Sequence, residues 1–224
     1  MITPERLHYF LTRYVIEHGH VPEPGHLSET GWCSPEQYAE ALSRLEHMHG
    51  VILEPGSQRI WALHPFSMIP TAFWVSCRDR GWWANCAWCS LAIGVAMEED
   101  TEISTRDGGE GDPLKFQVRG GECSRSDLLM HFPYPPARWW DNPYNPCGNI
   151  LFFSSEPLVD DWCDRHDRPK GAILPIDQGL RLTQLWFGDY ASPAWRRKTP
   201  QEAQAIFDEL ALDPAFWSVA GSFK

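Results

Sequence analysis

Positive charge is scarce in this 224-residue sequence: 19 Lys and Arg stand against 30 Asp and Glu, a formal balance of −11. A phosphate backbone repels such a surface, so nucleic acid is not an expected partner. Long apolar runs are also lacking. None approaches the roughly 18 residues needed to span a bilayer, and no membrane association is expected. The opening residues Met1-Ile2-Thr3-Pro4-Glu5-Arg6 lack the basic-then-apolar pattern of an export signal. The 7 cysteines are odd in number and follow no disulfide rhythm, which predicts reduced thiols in a cytoplasmic protein. There is no internal repeat and no low-complexity tract. Gly108-Gly109-Glu110-Gly111 lacks the Lys and the strand-to-helix context of a phosphate loop. What the chain does have is tryptophan. Its 12 Trp residues argue against disorder and for a large aromatic core or an apolar pocket.

The first 65 residues read as a small helical module. Thr3-Pro4-Glu5 opens a helix with proline at the favoured first position, and Leu7, Phe10, Leu11, Tyr14 and Val15 follow at helical spacing. Gly19 and the pair Pro22 and Pro24 end it. Ser34 with Gln37 is a capping box, and Tyr38, Ala41, Leu42 and Leu45 form the apolar stripe behind it. Residues 51–53 and 59–63 flank Glu54-Pro55-Gly56-Ser57 as a hairpin, and a short helix is expected near 25–31. This order is that of a winged helix-turn-helix. Its charge is wrong for DNA, because the expected groove-reading helix holds Glu36, Glu40 and Glu46 against Arg44 alone. A structural module over residues 1–68, covering a core of residues 69–224, is the better reading.

In the core, residues 72–75 read as a strand, the segment from Trp83 to Ala96 as an apolar helix, and Lys115-Phe116-Gln117-Val118 as a strand. The stretch from Pro133 to Pro146 is dense in proline and predicted to be non-helical. Residues 150–153 and 171–176 read as strands, with helices expected near 157–166, over 178–190, and from the capping box Thr199 to Glu202 onward. The fold class is α+β.

Cys86 and Cys89 form a Cys-Ala-Trp-Cys cluster, and Cys147 sits in Asn-Pro-Tyr-Asn-Pro-Cys-Gly. Thiols three apart share one side of a helical turn, and a third from a distant loop completes a sulfur-only site for soft ions such as Cu(I), Zn(II), Cd(II) or Hg(II). Four readings compete. Three inert buried thiols are the plainest. A redox pair has the right spacing but lacks the βαβ units that chemistry usually rides on. A structural zinc site needs a fourth ligand, for which Cys123, Cys163 and His131 are candidates. The fourth reading is a soft-metal site that performs chemistry. His47 and His49 fall on different faces of a helix, so they make poor joint ligands. Cys33, Cys77 and Cys163 read as structural.

The flanking residues are more specific than the spacing. Trp83-Ala84-Asn85-Cys86-Ala87-Trp88-Cys89-Ser90-Leu91, with Cys147 five residues before Phe152-Phe153, resembles the alkylmercury lyase (organomercurial lyase) family. Glu156-Pro157 and Asp161-Trp162 resemble the family's next helix. The resemblance implies an N-terminal winged-helix-like module that does not bind DNA, a core of small antiparallel sheets and helices, and catalytic thiolates at Cys86 and Cys147. It implies a reaction in which the thiolates capture R–Hg⁺, the carbon is protonated, R–H leaves and Hg(II) stays on sulfur. That reaction needs no resident cofactor; free thiols serve as the metal acceptor and a small organometallic compound as the substrate.

Cys89 falls where the family carries an aspartate. A thiol is a weaker acid than a carboxyl by about 4–5 pK units, worth roughly 6 kcal/mol. Cys89 is therefore expected to act either as the proton donor or as a third sulfur ligand. In the second case the site binds Cu(I) or Zn(II), as a metal handler or a different metal-dependent enzyme. A metal-responsive regulator ranks last, because of the acidic first module.

Overall fold

Local capping explains the first helices. Thr3 is extended and accepts the Arg6 N–H at 3.2 Å, Pro4 fills the first turn, and left-handed Gly19 closes α1 (Pro4–His18). A short α2 (Pro24–Glu29) follows. Then comes α3 (Pro35–His47), where the Ser34 side chain accepts the Gln37 N–H and the Gln37 side chain accepts the Ser34 N–H. Leu7, Leu11 and Val15 of α1 pack against Tyr38, Leu42 and Leu45 of α3, all buried. The structure, a computed structural model, describes residues 2–139 and 144–219.

Eight strands form one antiparallel sheet among the described residues. They are β1 (Val51–Leu53), β2 (Ile60–Leu63), β3 (Phe66–Ser67), β4 (Trp74–Cys77), β5 (Arg80–Ala84), β6 (Thr101–Arg106), β7 (Pro113–Arg119) and β8 (Glu122–Cys123), in the order β1-β2-β3-β5-β4-β6-β7-β8. The sheet thus runs unbroken from the N-terminal hairpin into the core. Between β5 and β6 lies α4 (Ala87–Met97), buried on nearly every side. A second antiparallel sheet places β9 (Leu129–Phe132) between β10 (Leu151–Phe153) and β11 (Ala172–Pro175). The remaining helices are α5 (Tyr144–Asn149), α6 (Glu156–His166), α7 (Ile176–Phe187) and α8 (Pro200–Glu209). No helix among the described residues is long and apolar enough to cross a membrane.

Three departures from the sequence reading bear on the site. Trp83 belongs to a strand, not to the helix that follows. Trp82 points inward and donates its indole N–H to the Val15 carbonyl at 2.8 Å, while Trp83 faces Trp74 across the ladder. A run apolar on both faces has no period by which strand and helix differ. The sequence reading misses β6, where buried Thr101, Ile103 and Thr105 alternate with Glu102, Ser104 and Arg106 but supply only one apolar side chain, and the central β9, which is largely buried on both faces. The Pro-rich stretch ends in the helical turn α5. Pro146 is its third residue, where the backbone needs no intrahelical donor, so proline does not forbid it. Trp140 lies outside the described residues.

A candidate thiol site

The cysteine pair is set by a sharp strand-to-helix junction. Asn85 directs its side-chain amide to the carbonyls of Pro65 and Phe66, at 3.1 and 3.2 Å, and so ends β5 firmly. Cys86 is then the extended N-cap of α4, and its sulfur accepts the Cys89 N–H at 3.4 Å. A cap position is normally taken by an oxygen side chain; here a sulfur sits at the positive end of the helix. The Ala87 N–H donates to the Ile150 carbonyl at 3.0 Å, which draws the segment carrying Cys147 against the same junction. The three sulfurs of Cys86, Cys89 and Cys147 consequently lie within 4.8 Å of one another. Cys86 and Cys89 are buried, and Cys147 is partly buried.

The three thiols are not equivalent. Burial opposes ionisation of Cys86, but hydrogen bonds from the Cys147 and Cys89 thiols, the Cys89 amide and the field of His64 outweigh it. Its pKa falls well below the ordinary thiol range. The other two are pushed well above that range. For Cys89 the causes are hydrogen bonding with Cys147 and Cys86, then burial. For Cys147 the main one is hydrogen bonding with Cys86. Of the three, Cys86 is the thiol whose surroundings favour ionisation, and Cys89 and Cys147 are those whose surroundings oppose it.

Histidines stand beside it. His64 Nε2 is 3.5 Å from the Cys147 sulfur; burial lowers its pKa, opposed by Cys86, and favours the neutral ring. His49 lines the same cavity, its pKa pushed down to about 4 by burial, then by Arg197 and neighbouring histidines. The cavity itself is about 50 Å³. Its wall is aromatic: Trp88, Trp139, Trp186, Phe187 and Tyr190. A larger hollow of about 650 Å³ opens beside Gly19, Arg59 and Trp83, but it holds no cysteine.

Of the sequence candidates, the structure brings Cys86, Cys89 and Cys147 together and sets the others apart. His131 and Cys163 face each other at 3.8 Å, and His131 also bonds the Lys170 carbonyl at 2.7 Å, so neither is a fourth ligand. Cys123 sits on β8 at the far edge of the large sheet, and Cys33 and Cys77 are buried outside the cluster. His47 bonds the Ser43 carbonyl, away from its neighbour His49. Sequence reasoning missed His64, Trp186, Phe187 and Tyr190 as site residues. No spacing relates them to the cysteines, and only the packing of α7 against α4 brings its end to the thiols.

A family model described as alkylmercury lyase matches residues 66–188, more than half of the chain. Among solved structures, the crystal structure of the mercury-bound form of MerB2 aligns with a TM-score of 0.62 at 20% identity, covering 83% of this chain and 91% of that one. At that identity the likeness establishes the fold. No curated protein matches the chain.

Proposed function

The chain belongs to the alkylmercury lyase family, and on that premise we propose that it cleaves the carbon–mercury bond of small organomercurials at Cys86, Cys89 and Cys147. The observation that carries this reading is the cluster of three sulfurs within 4.8 Å. Its unequal ionisation supports a definite sequence of steps.

The Cys86 thiolate attacks R–Hg⁺ and forms a neutral R–Hg–S adduct. The Cys147 sulfur then adds to mercury, which loads electron density onto the carbon. Cys89 gives its proton to that carbon; the electron pair of the carbon–mercury bond becomes the new C–H bond, and R–H leaves. The proton displaced from Cys147 returns to Cys89. One thiolate and one thiol have then become a mercury dithiolate, and one C–H bond has formed. Two free thiols remove Hg(II) and restore the cysteines. No resident cofactor enters these steps.

Cys89 is a poorer acid than the family's aspartate, but mercury acidifies a neighbouring thiol strongly. The test is release of methane from a methylmercury salt with excess free thiol. No methane above a Cys147→Ala control would reject the lyase reading.

One observation favours a second reading: the third corner of the site is sulfur where a carboxylate was expected. Three thiolates suit Cu(I) or Zn(II). Stoichiometric copper or zinc in the purified protein, lost on Cys89→Ser, would support a metal handler instead.

A further inference from the structure

We infer that the site admits mercury bearing a short alkyl group, methyl or ethyl in size, and excludes aryl groups; this rests on the lyase reading above. The cavity beside the three sulfurs is about 50 Å³. An apolar cavity known to take benzene is about 150 Å³, about three times that volume. The described wall thus leaves room for a small substituent and not for a ring.

The wall resists enlargement. Trp88 packs against Trp139, Trp186 and Phe187 with ring centroids 5.2, 5.4 and 5.2 Å apart. Behind them Trp186 stacks on Phe207 at 5.9 Å, and Phe187 meets Tyr190 at 4.5 Å. Each of these wall rings touches at least two others, so none turns aside without displacing a neighbour in a close-packed interior. Trp186 and Phe187 also lie at the end of α7, which packs on the helix that carries Cys89. An aryl group would have to move that helix end. Phe187 and Trp186 are therefore specificity-determining positions.

The experiment compares kcat/KM for methane release from methylmercury with that for benzene release from phenylmercury, both with excess free thiol. Wild type should favour methylmercury by at least about 10-fold. Phe187→Leu and Trp186→Phe, each checked for a native near-ultraviolet dichroism spectrum, should raise the phenyl-to-methyl ratio. Equal rates in wild type, or an unchanged ratio in both variants, overturns the size inference and leaves the lyase reading standing. Absence of both hydrocarbons rejects the lyase reading. Size selection is then read from the mass of the intact reduced protein after exposure to each mercurial with competing glutathione. A phenylmercury adduct as abundant as the methylmercury adduct would overturn the inference there too.

Discussion

The Cys89 amide donates to the Cys86 sulfur across 3.4 Å, at the first turn of a helix whose positive end faces the thiol. Against the opposing effect of burial, this bond joins hydrogen bonds from the Cys147 and Cys89 thiols in lowering the pKa of Cys86, while those of Cys89 and Cys147 are raised.

Thiolate absorbance against pH should therefore show an early ionisation from the cluster, with Cys89 and Cys147 ionising late. Cys86→Ser should remove the early one, because its pKa is the one depressed. If the early ionisation survives Cys86→Ser and vanishes with Cys147→Ser, the assignment of the nucleophile is wrong. Hydrocarbon release should fall roughly 100-fold or more in either variant.

In the proposed mechanism, residue 89 separates capture from cleavage. Cys89→Ser should still bind methylmercury through two sulfurs and release no methane. Cys89→Asp should restore release, with a shifted pH profile. The donor must be protonated, so activity is lost as pH rises through its pKa. That pKa is raised for Cys89 and lies about 4–5 units lower for an ordinary carboxyl. The alkaline limb of the aspartate variant should move to lower pH; an unmoved limb would exclude residue 89 as the donor.

His8 should make the fold acid-sensitive. It is fully buried, stacked on Trp195 with centroids 3.5 Å apart and edge-on to Tyr190, and burial, then His64, pushes its pKa from 6.5 down to about 3. The unfolded chain takes up that proton near 6.5, so the stabilisation is complete above 6.5 and is lost as pH falls toward 3. At about 1.4 kcal/mol per pH unit, roughly 2 kcal/mol should disappear between pH 6.5 and 5. Urea unfolding of wild type and His8→Phe at both pH values measures it; the variant should lose about 2 kcal/mol less.

Gly108 supports the strand that follows the Cys147 segment. It adopts φ +58°, and a Cβ there would sit 2.7 Å from the Phe153 ring. Beside it, Asp107 accepts hydrogen bonds from the Ser154 backbone N–H and hydroxyl. Gly108→Ala should cost about 2 kcal/mol or more. Gly120 has a similar φ of +55° but open space around its Cβ, so Gly120→Ala should cost only about 1 kcal/mol. Equal losses in thermal unfolding would remove Phe153 from the explanation.

Much of this protein is legible where physics acts locally. Thr3, Ser34 and Thr199 start helices because their side chains satisfy the first backbone N–H groups, and that pattern is written within four residues. The thiols were visible too, because the residues around Cys86 and Cys147 carry a family pattern. Strands β6 and β9 were not, since their stability comes from neighbours distant in the chain. Nor was α5, where the position of Pro146 within the first turn, rather than its presence, decides the outcome.

By itself, then, the sequence determined the helix starts, the net negative charge, and which cysteines to suspect. Only the tertiary structure decided that the three sulfurs meet within 4.8 Å and that the room beside them is about 50 Å³. Thiol ionisation and cavity size depend on groups far apart in sequence: His64 beside Cys147, and Trp186 and Phe187 against Trp88. Electrostatic fields and packed volumes are properties of proximity, which chain order does not encode position by position.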